Sequence, residues 1–337
     1  MTRVAVIGLG RIGCGEGPQA GQTPRSHVGA VLAVPGLTLA AAIDPSTQAR
    51  ETARKLWNLP ASVALLTDIT ELGKGAAEVI AVAGPTAARR QNVLAALEKK
   101  PKVLIVEKPL AASLADGAEI AERAKAEGVT LRVNFQRRLD TGHRAFRAAM
   151  AADPKLVICR YGKGLFNYAS HMVDILVDWF GPVASVEAFS AEAASGDPNL
   201  TFRARMKRGF DVLFVGVDGL GYDQFEMEFY LPDQKLELAC GGVEKRRSAA
   251  VPDRFYKGYV QLGPMQDVTP PQVVGGFQEL YESVHEHLTR GAPLEGCGPE
   301  DALHGLAVLD AARASARTGG KSISIAGIPS ANPKAAR

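Results

Sequence analysis

Short apolar runs alternate with longer Ala-rich stretches through the first third of the chain. Residues 4–7, 37–43, 79–82, 103–106 and 129–133 are β-branched or aliphatic runs of the kind buried on both faces of a parallel sheet. Between them, residues 27–34, 48–56, 88–99 and 114–127 are dominated by Ala, Leu, Glu, Lys and Arg, the residues that favour helix. Strands alternating with helices predict an α/β domain on an open, doubly wound parallel sheet.

The pattern changes after about residue 150. Residues 183–189, 201–205, 211–214, 225–231 and 235–239 read as strands. In Phe225-Glu226-Met227-Glu228-Phe229 apolar and charged positions alternate, as on a half-buried antiparallel strand. Pro232-Asp233-Gln234 then turns the chain into the next strand. Helical patterns at 170–180, 277–289 and 300–317 bracket this region. An α+β domain with a largely antiparallel open sheet follows.

Composition narrows the function classes. The 337 residues suit two domains, and 46% hydrophobic with 22% charged residues excludes a disordered tail or linker. A formal net charge of +3 is too small for a concentrated basic surface, so no nucleic-acid partner is expected. Cys14, Cys159, Cys240 and Cys297 form no C-x-x-C pair, which argues against a zinc knuckle and suits a reducing compartment. No apolar run reaches about 18 residues, so no membrane partner is expected. The first strand begins at once, without a signal-peptide layout. The expectation is a cytoplasmic protein with domains at 1–133 and 134–329 and a tail at 330–337, with helix 300–317 free to pack back on the first domain.

Gly8-Leu9-Gly10-Arg11-Ile12-Gly13 is G-x-G-x-x-G directly after the first strand. Glycines there allow a tight turn and let backbone N–H groups, those of Arg11 and Ile12 included, approach a pyrophosphate. Asp44 ends the second strand, where a carboxylate accepts from the adenosine ribose hydroxyls and disfavours a 2′-phosphate. Gly84, just after the third strand, joins the same set. The cofactor predicted is NAD, with NADP less favoured. Asp44 lies 31 residues beyond Gly13, against a usual separation of about 20. An inserted loop of 12 residues at 14–25 would reduce that to 19, with Ser26 capping the helix that follows.

Three further motifs occur in order. Glu107-Lys108-Pro109 follows the fourth strand, Asn134-Phe135-Gln136-Arg137-Arg138 the fifth, and Gly164-Leu165-Phe166-Asn167-Tyr168-Ala169-Ser170-His171-Met172-Val173-Asp174 opens the long helix of the second half. With the glycine loop, and with helix 300–317 followed by Thr318-Gly319-Gly320-Lys321, these resemble the Gfo/Idh/MocA oxidoreductases. The resemblance implies a Rossmann domain followed by a domain whose open sheet serves a homodimer or homotetramer. It implies hydride transfer between nicotinamide and a hydroxyl-bearing carbon of a sugar, sugar acid, nucleotide sugar or cyclitol. It places Glu107 and Lys108 at the cofactor, makes Lys108 the active-site lysine, and makes His171 the general acid/base. Those residue types suit the chemistry: an imidazole exchanges protons near neutral pH, and an ammonium polarises a developing alkoxide.

The chain departs from the family pattern at three places. Asn167 stands where an aspartate is usual; with His171 it forms an i, i+4 pair that can hydrogen-bond a substrate but cannot itself take a proton. This Asn-type variant resembles family members associated with surface-polysaccharide sugars. Arg89 stands where many members carry histidine, and the 14–25 insertion adjoins the glycine loop. Arg138, Tyr161, Lys163 and Asp174 are candidate substrate contacts, each with a bland alternative as solvated charge or core filler. His285 and His287 sit two apart on a helix and do not share a face, so no metal is implied. Two alternatives remain open: an enzyme that holds NAD tightly for transient oxidation, in epimerisation or elimination, and a non-catalytic dinucleotide sensor.

Overall fold

The computed structural model describes residues 1–18, 23–189, 196–270 and 275–325. The tail expected at 330–337 lies outside the described residues. The chain divides into two units, one of residues 1–139 with 275–303, the other of residues 140–274 with 304–337.

The first unit carries β1 (Thr2–Ile7), β2 (Leu37–Ile43), β3 (Ala64–Leu66), β4 (Val79–Val82), β5 (Val103–Glu107) and β6 (Thr130–Asn134). All pair in parallel in the order β3-β2-β1-β4-β5-β6. Strand order reverses between β1 and β4, and in a doubly wound sheet ligands bind at the carboxyl ends beside that reversal. The crossovers are α1 (His27–Ala33), α2 (Thr47–Leu56), α3 (Thr86–Leu97) and α4 (Leu114–Ala126). Alternate strand residues face opposite sides. Val4, Val6, Val79, Ala81, Val103 and Ile105 pack with Val28 and Val31 of α1. Ala5, Ile7, Ile80, Val82, Leu104 and Val106 pack with Val93 and Leu97 of α3 and Ile120 of α4. Burying each such Val, Leu or Ile side chain stabilises the fold by about 1.5–3 kcal/mol.

The second unit begins with α5 (Thr141–Ala148) and β7 (Leu156–Tyr161), then one π-helical turn at Leu165–Ala169 that runs into α6 (Ser170–Phe180). Strands β8 (Val183–Ala188), β9 (Phe202–Met206), β10 (Asp211–Gly216), β11 (Phe225–Tyr230) and β12 (Gln234–Ala239) match the pattern-based expectation. The alternation misses β7, β13 (Glu244–Pro252), β14 (Val260–Leu262) and β15 (Gln266–Thr269). β13 reads Glu-Lys-Arg-Arg-Ser-Ala-Ala-Val-Pro, too charged and too small in side chain to register as a strand. The sheet order is β14-β13-β12-β11-β7-β10-β9-β8-β16, where β16 is Ile323–Ser324. Only β7 and β10 pair in parallel among the described strands of this sheet. Its core is aromatic: Phe146, Trp179, Phe180 and Phe229 cluster, and Phe202 stacks on Phe214 with centroids 4.3 Å apart.

Helix α7 (Phe277–Arg290) corrects the expected boundary. Phe277, Leu280, Tyr281 and Val284 form its apolar stripe and join the α1 side of the first unit's core, so residues 275–303 fold with the parallel sheet. Helix α8 (Pro299–Arg317) is divided between the units after Leu303. Among the described residues no helix is long and apolar enough to cross a membrane.

Candidate active site

The glycine loop follows β1. Gly8 has φ +87°, and a Cβ there would lie 2.6 Å from the Gly84 nitrogen; a Cβ on Gly13 would lie 1.7 Å from the Gly8 carbonyl oxygen. No side chain fits at either position. Gly10 differs, with nothing within 4 Å of its Cβ position. It is an open cradle at the start of a helical turn, closed by the Cys14 N–H donating to the Gly10 carbonyl at 2.8 Å. A helix N-terminus with such an opening is a natural anion site, because its first N–H groups lack partners and the dipole is positive there. Arg11 and Ile12 are exposed on this turn, and Gly84 closes the far side of the loop.

The insertion is spliced into this helix. The His27 N–H donates to the Ile12 carbonyl at 3.0 Å and the Val28 N–H to the Gly13 carbonyl at 2.9 Å. In an unbroken α-helix those bonds join residues four apart, so the excursion adds 11 residues and restores a glycine-to-Asp44 spacing of 20. Ser26 does cap α1, accepting from the Gly29 N–H and donating to the Cys14 carbonyl, which also receives the Trp57 indole N–H at 2.8 Å.

At the carboxyl end of β2, Asp44 Oδ2 accepts the Leu9 N–H at 2.8 Å and Oδ1 the Ser46 N–H at 2.9 Å. The carboxylate is thereby tied to the glycine loop. It stays half-buried, and each oxygen retains capacity for a ribose hydroxyl. Pro45 and Ser46 supply no cation, but the fold brings Arg50 beside them, bonded to the carbonyls of Asp44 and Pro45. The open side of Gly10 and the tethered Asp44 fit a dinucleotide.

β5 delivers Glu107 and the half-buried Lys108 to the same edge, followed by a cis Lys108–Pro109 bond. The side chain of Glu107 corrects its expected place at the cofactor. It points into the protein, where Oε1 faces His27 Nε2 at 3.1 Å and accepts from Asn134 Nδ2 at 2.5 Å, while Oε2 accepts the Lys108 N–H at 3.2 Å. Arg89 is a brace rather than a cofactor contact: buried on α3, it donates to the carbonyls of Gly84, Glu107 and Pro109. Arg138 also changes role, since it forms a buried ion pair with Asp301 at 2.8 Å.

In the second unit the π-helical turn carries Asn167, exposed, and α6 carries His171, half-buried in its first turn. The Asp197 carboxylate holds the turn, Oδ1 accepting the Phe166 N–H at 2.8 Å and Oδ2 the Asn167 N–H at 2.9 Å. Gly164 has φ +92° and a Cβ there would lie 2.2 Å from Asp197 Oδ2, so only glycine lets the carboxylate in. Asn199 completes the mounting, accepting the Gly164 N–H and donating to Asp218. Neither residue shows a sequence signal beyond being polar and within a loop. Lys163 pairs with Asp223, which also receives the Tyr168 hydroxyl at 2.9 Å, and its ammonium stands 5.8 Å from the Tyr168 ring centroid. Tyr161 is core rather than a sugar platform: it is fully buried and donates to the Leu200 carbonyl at 2.6 Å. Asp174 lies on the buried side of α6. Among the described residues no three His, Cys, Asp or Glu side chains group as a metal site would require.

Residues 2–135 match the family model of the Gfo/Idh/MocA proteins, an oxidoreductase family with an NAD-binding Rossmann fold. No curated protein matches the chain in direct sequence comparison. Among solved structures, an Agrobacterium radiobacter oxidoreductase in complex with NAD+, L-tartaric acid and magnesium aligns with TM-score 0.75 at 18% identity, covering 96% of this chain and 98% of that one. The Bordetella pertussis WlbA dehydrogenase, in complex with NADH and UDP-GlcNAcA, aligns at 0.73 and 18%, covering 96% and 97%. UDP-N-acetylglucosamine 3-dehydrogenase from Acidithiobacillus ferrooxidans aligns at 0.74 and 14%, covering 94% and 98%. At these identities the structural likeness is one of fold. The family match assigns residues 2–135 to the NAD-binding Rossmann fold of that oxidoreductase family.

Proposed function

We propose that this oxidoreductase is a dehydrogenase or reductase that acts on a hydroxyl-bearing carbon of a sugar, sugar acid, nucleotide sugar or cyclitol. The observation that carries the reading is the edge of the parallel sheet, where the open Gly10 cradle, the tethered Asp44 and Lys108 stand at the carboxyl ends of β1, β2 and β5. Gly10, Arg11, Ile12 and Asp44 would hold NAD, with Gly8, Gly13 and Gly84 shaping the loop. Bound NAD supplies the hydride acceptor or donor. Lys108 then polarises the substrate oxygen, and His171 takes the hydroxyl proton in oxidation or returns it in reduction. Asn167 hydrogen-bonds the substrate without exchanging a proton.

Nucleotide-sugar acids are the subclass we favour, because Tyr168, next to Asn167 in the chain, offers an aromatic face beneath Lys163, whose ammonium also pairs with Asp223. The UDP-GlcNAcA bound by the Bordetella neighbour is of that chemistry. We further propose action in the cytoplasm, supported by four cysteines spaced far apart with no C-x-x-C pair, and a homo-oligomer formed through the second unit's sheet.

Steady-state kinetics of Lys108→Ala and His171→Ala test the assignment. Each is expected to lower kcat at least about 100-fold, the usual worth of an acid–base group, while the NADH dissociation constant stays within about threefold of wild type. Wild-type rates in both variants would overturn it.

A further inference from the structure

Behind Lys108 runs a buried polar chain that the proposed reaction does not use. The Tyr281 hydroxyl on α7 lies 2.9 Å from His27 Nδ1 on α1. His27 Nε2 meets Glu107 Oε1, which Asn134 also reaches, and Glu107 Oε2 holds the Lys108 N–H. His27 and Tyr281 are wholly buried, and Glu107 and Asn134 nearly so.

The proton positions follow from the partners. Burial pushes the Glu107 carboxyl up, but hydrogen bonds from His27 and Asn134 and the nearby Arg89 charge outweigh it and hold it below the ordinary carboxylate range. Glu107 is therefore an anion that only accepts. Burial, reinforced by Glu107, pushes the Tyr281 phenol well up, so it keeps its proton beside His27 Nδ1. Facing an anionic carboxylate, His27 Nε2 carries a proton and donates to Glu107. An isolated buried carboxylate is costly, and one fixed by donors from several elements has a set orientation.

The insertion sharpens the point. The 11 extra residues enter immediately before His27, yet the His27 and Val28 N–H groups donate to the Ile12 and Gly13 carbonyls. The register of His27 against the glycine loop survives an interruption at its own doorstep.

We propose that His27 and Glu107 are positioning residues for Lys108. His27 Nε2–H fixes the Glu107 carboxylate, whose second oxygen fixes the backbone from which the Lys108 side chain springs. Arg89 secures the flanking Glu107 and Pro109 carbonyls. The proposal rests on reading Lys108 as catalytic.

Two variants separate positioning from simple packing. The side-chain amide of His27→Gln places an N–H where Nε2–H stands. That of His27→Asn places one at the Nδ1 position, too short to reach Glu107. In the full chain, His27→Asn is expected to lower kcat tenfold or more with KM and the NADH dissociation constant within about threefold, and His27→Gln to recover most of the rate. Amide hydrogen exchange at Lys108, read by NMR, gives a measure independent of turnover: at least tenfold faster in His27→Asn and near wild type in His27→Gln. Equal losses in both variants, or unchanged Lys108 exchange in His27→Asn, would overturn the positioning role. Full activity of His27→Asn beside an inactive Lys108→Ala would overturn it alone, whereas full activity of Lys108→Ala would overturn the reading on which it rests.

Discussion

Glu107 and Lys108 are neighbours in one motif with opposite fates. Successive residues at a strand end face opposite ways, so if Lys108 faces the cofactor edge, Glu107 faces the interior. The motif reveals both residues but not this division. Tyr161 carried a readable warning: in β7, Val157, Cys159 and Tyr161 share the buried side, and period two places the tyrosine in the core. Arg138 and Asp301 lie 163 positions apart, and His27 and Tyr281 lie 254 apart. Pairs so distant leave no local signature. Lys108, His171, Asp44 and the glycines each sit in a short motif at the end of an element, so their positions, as distinct from their roles, were legible.

At the scale of elements, periodicity gave five of the six parallel strands and the four crossover helices because these rest on burial along the chain, and it missed β3, which is short and only partly buried. It located the insertion as well, through the excess spacing to Asp44, and missed its length by one residue. With residues 16–26 removed, Gly13-Cys14-Gly15 would lead into His27 and the bonds to Ile12 and Gly13 would join residues four apart. A chain lacking 16–26 is expected to fold and to bind NADH within about threefold of wild type by fluorescence titration, since the Gly10 cradle lies before the cut. Loss of binding in a folded deletion variant would show that the excursion itself holds the cofactor. β13 stayed hidden for a different reason. Its pairing with β12 and β15 is set by neighbours in the sheet, against a weak and charged local pattern.

For the whole molecule, a group of large exposed side chains lies close together in sequence. Phe255, Tyr256, Tyr259 and Val260 are each two-thirds or more exposed, around the β13–β14 connection at one end of the sheet order. An apolar patch of this kind on a sheet edge marks an interaction surface, and a second copy of the chain is the occupant proposed. Sedimentation analysis is expected to show an oligomer that Phe255→Glu with Tyr259→Glu reduces to a smaller species without lowering Tm. A monomeric wild-type chain would contradict it.

The central claim is hydride exchange between NAD and a hydroxylated carbon, and the most direct measurement is absorbance at 340 nm. The intact protein would be mixed with NAD or NADH and a panel of sugars, sugar acids, UDP-linked sugar acids and inositols. A substrate-dependent change is expected with at least one member, larger with NAD(H) than with NADP(H) because the Asp44 carboxylate disfavours a 2′-phosphate. NADH that binds but exchanges no hydride with any member would contradict it, and would point to internal redox on a held cofactor or to a sensor.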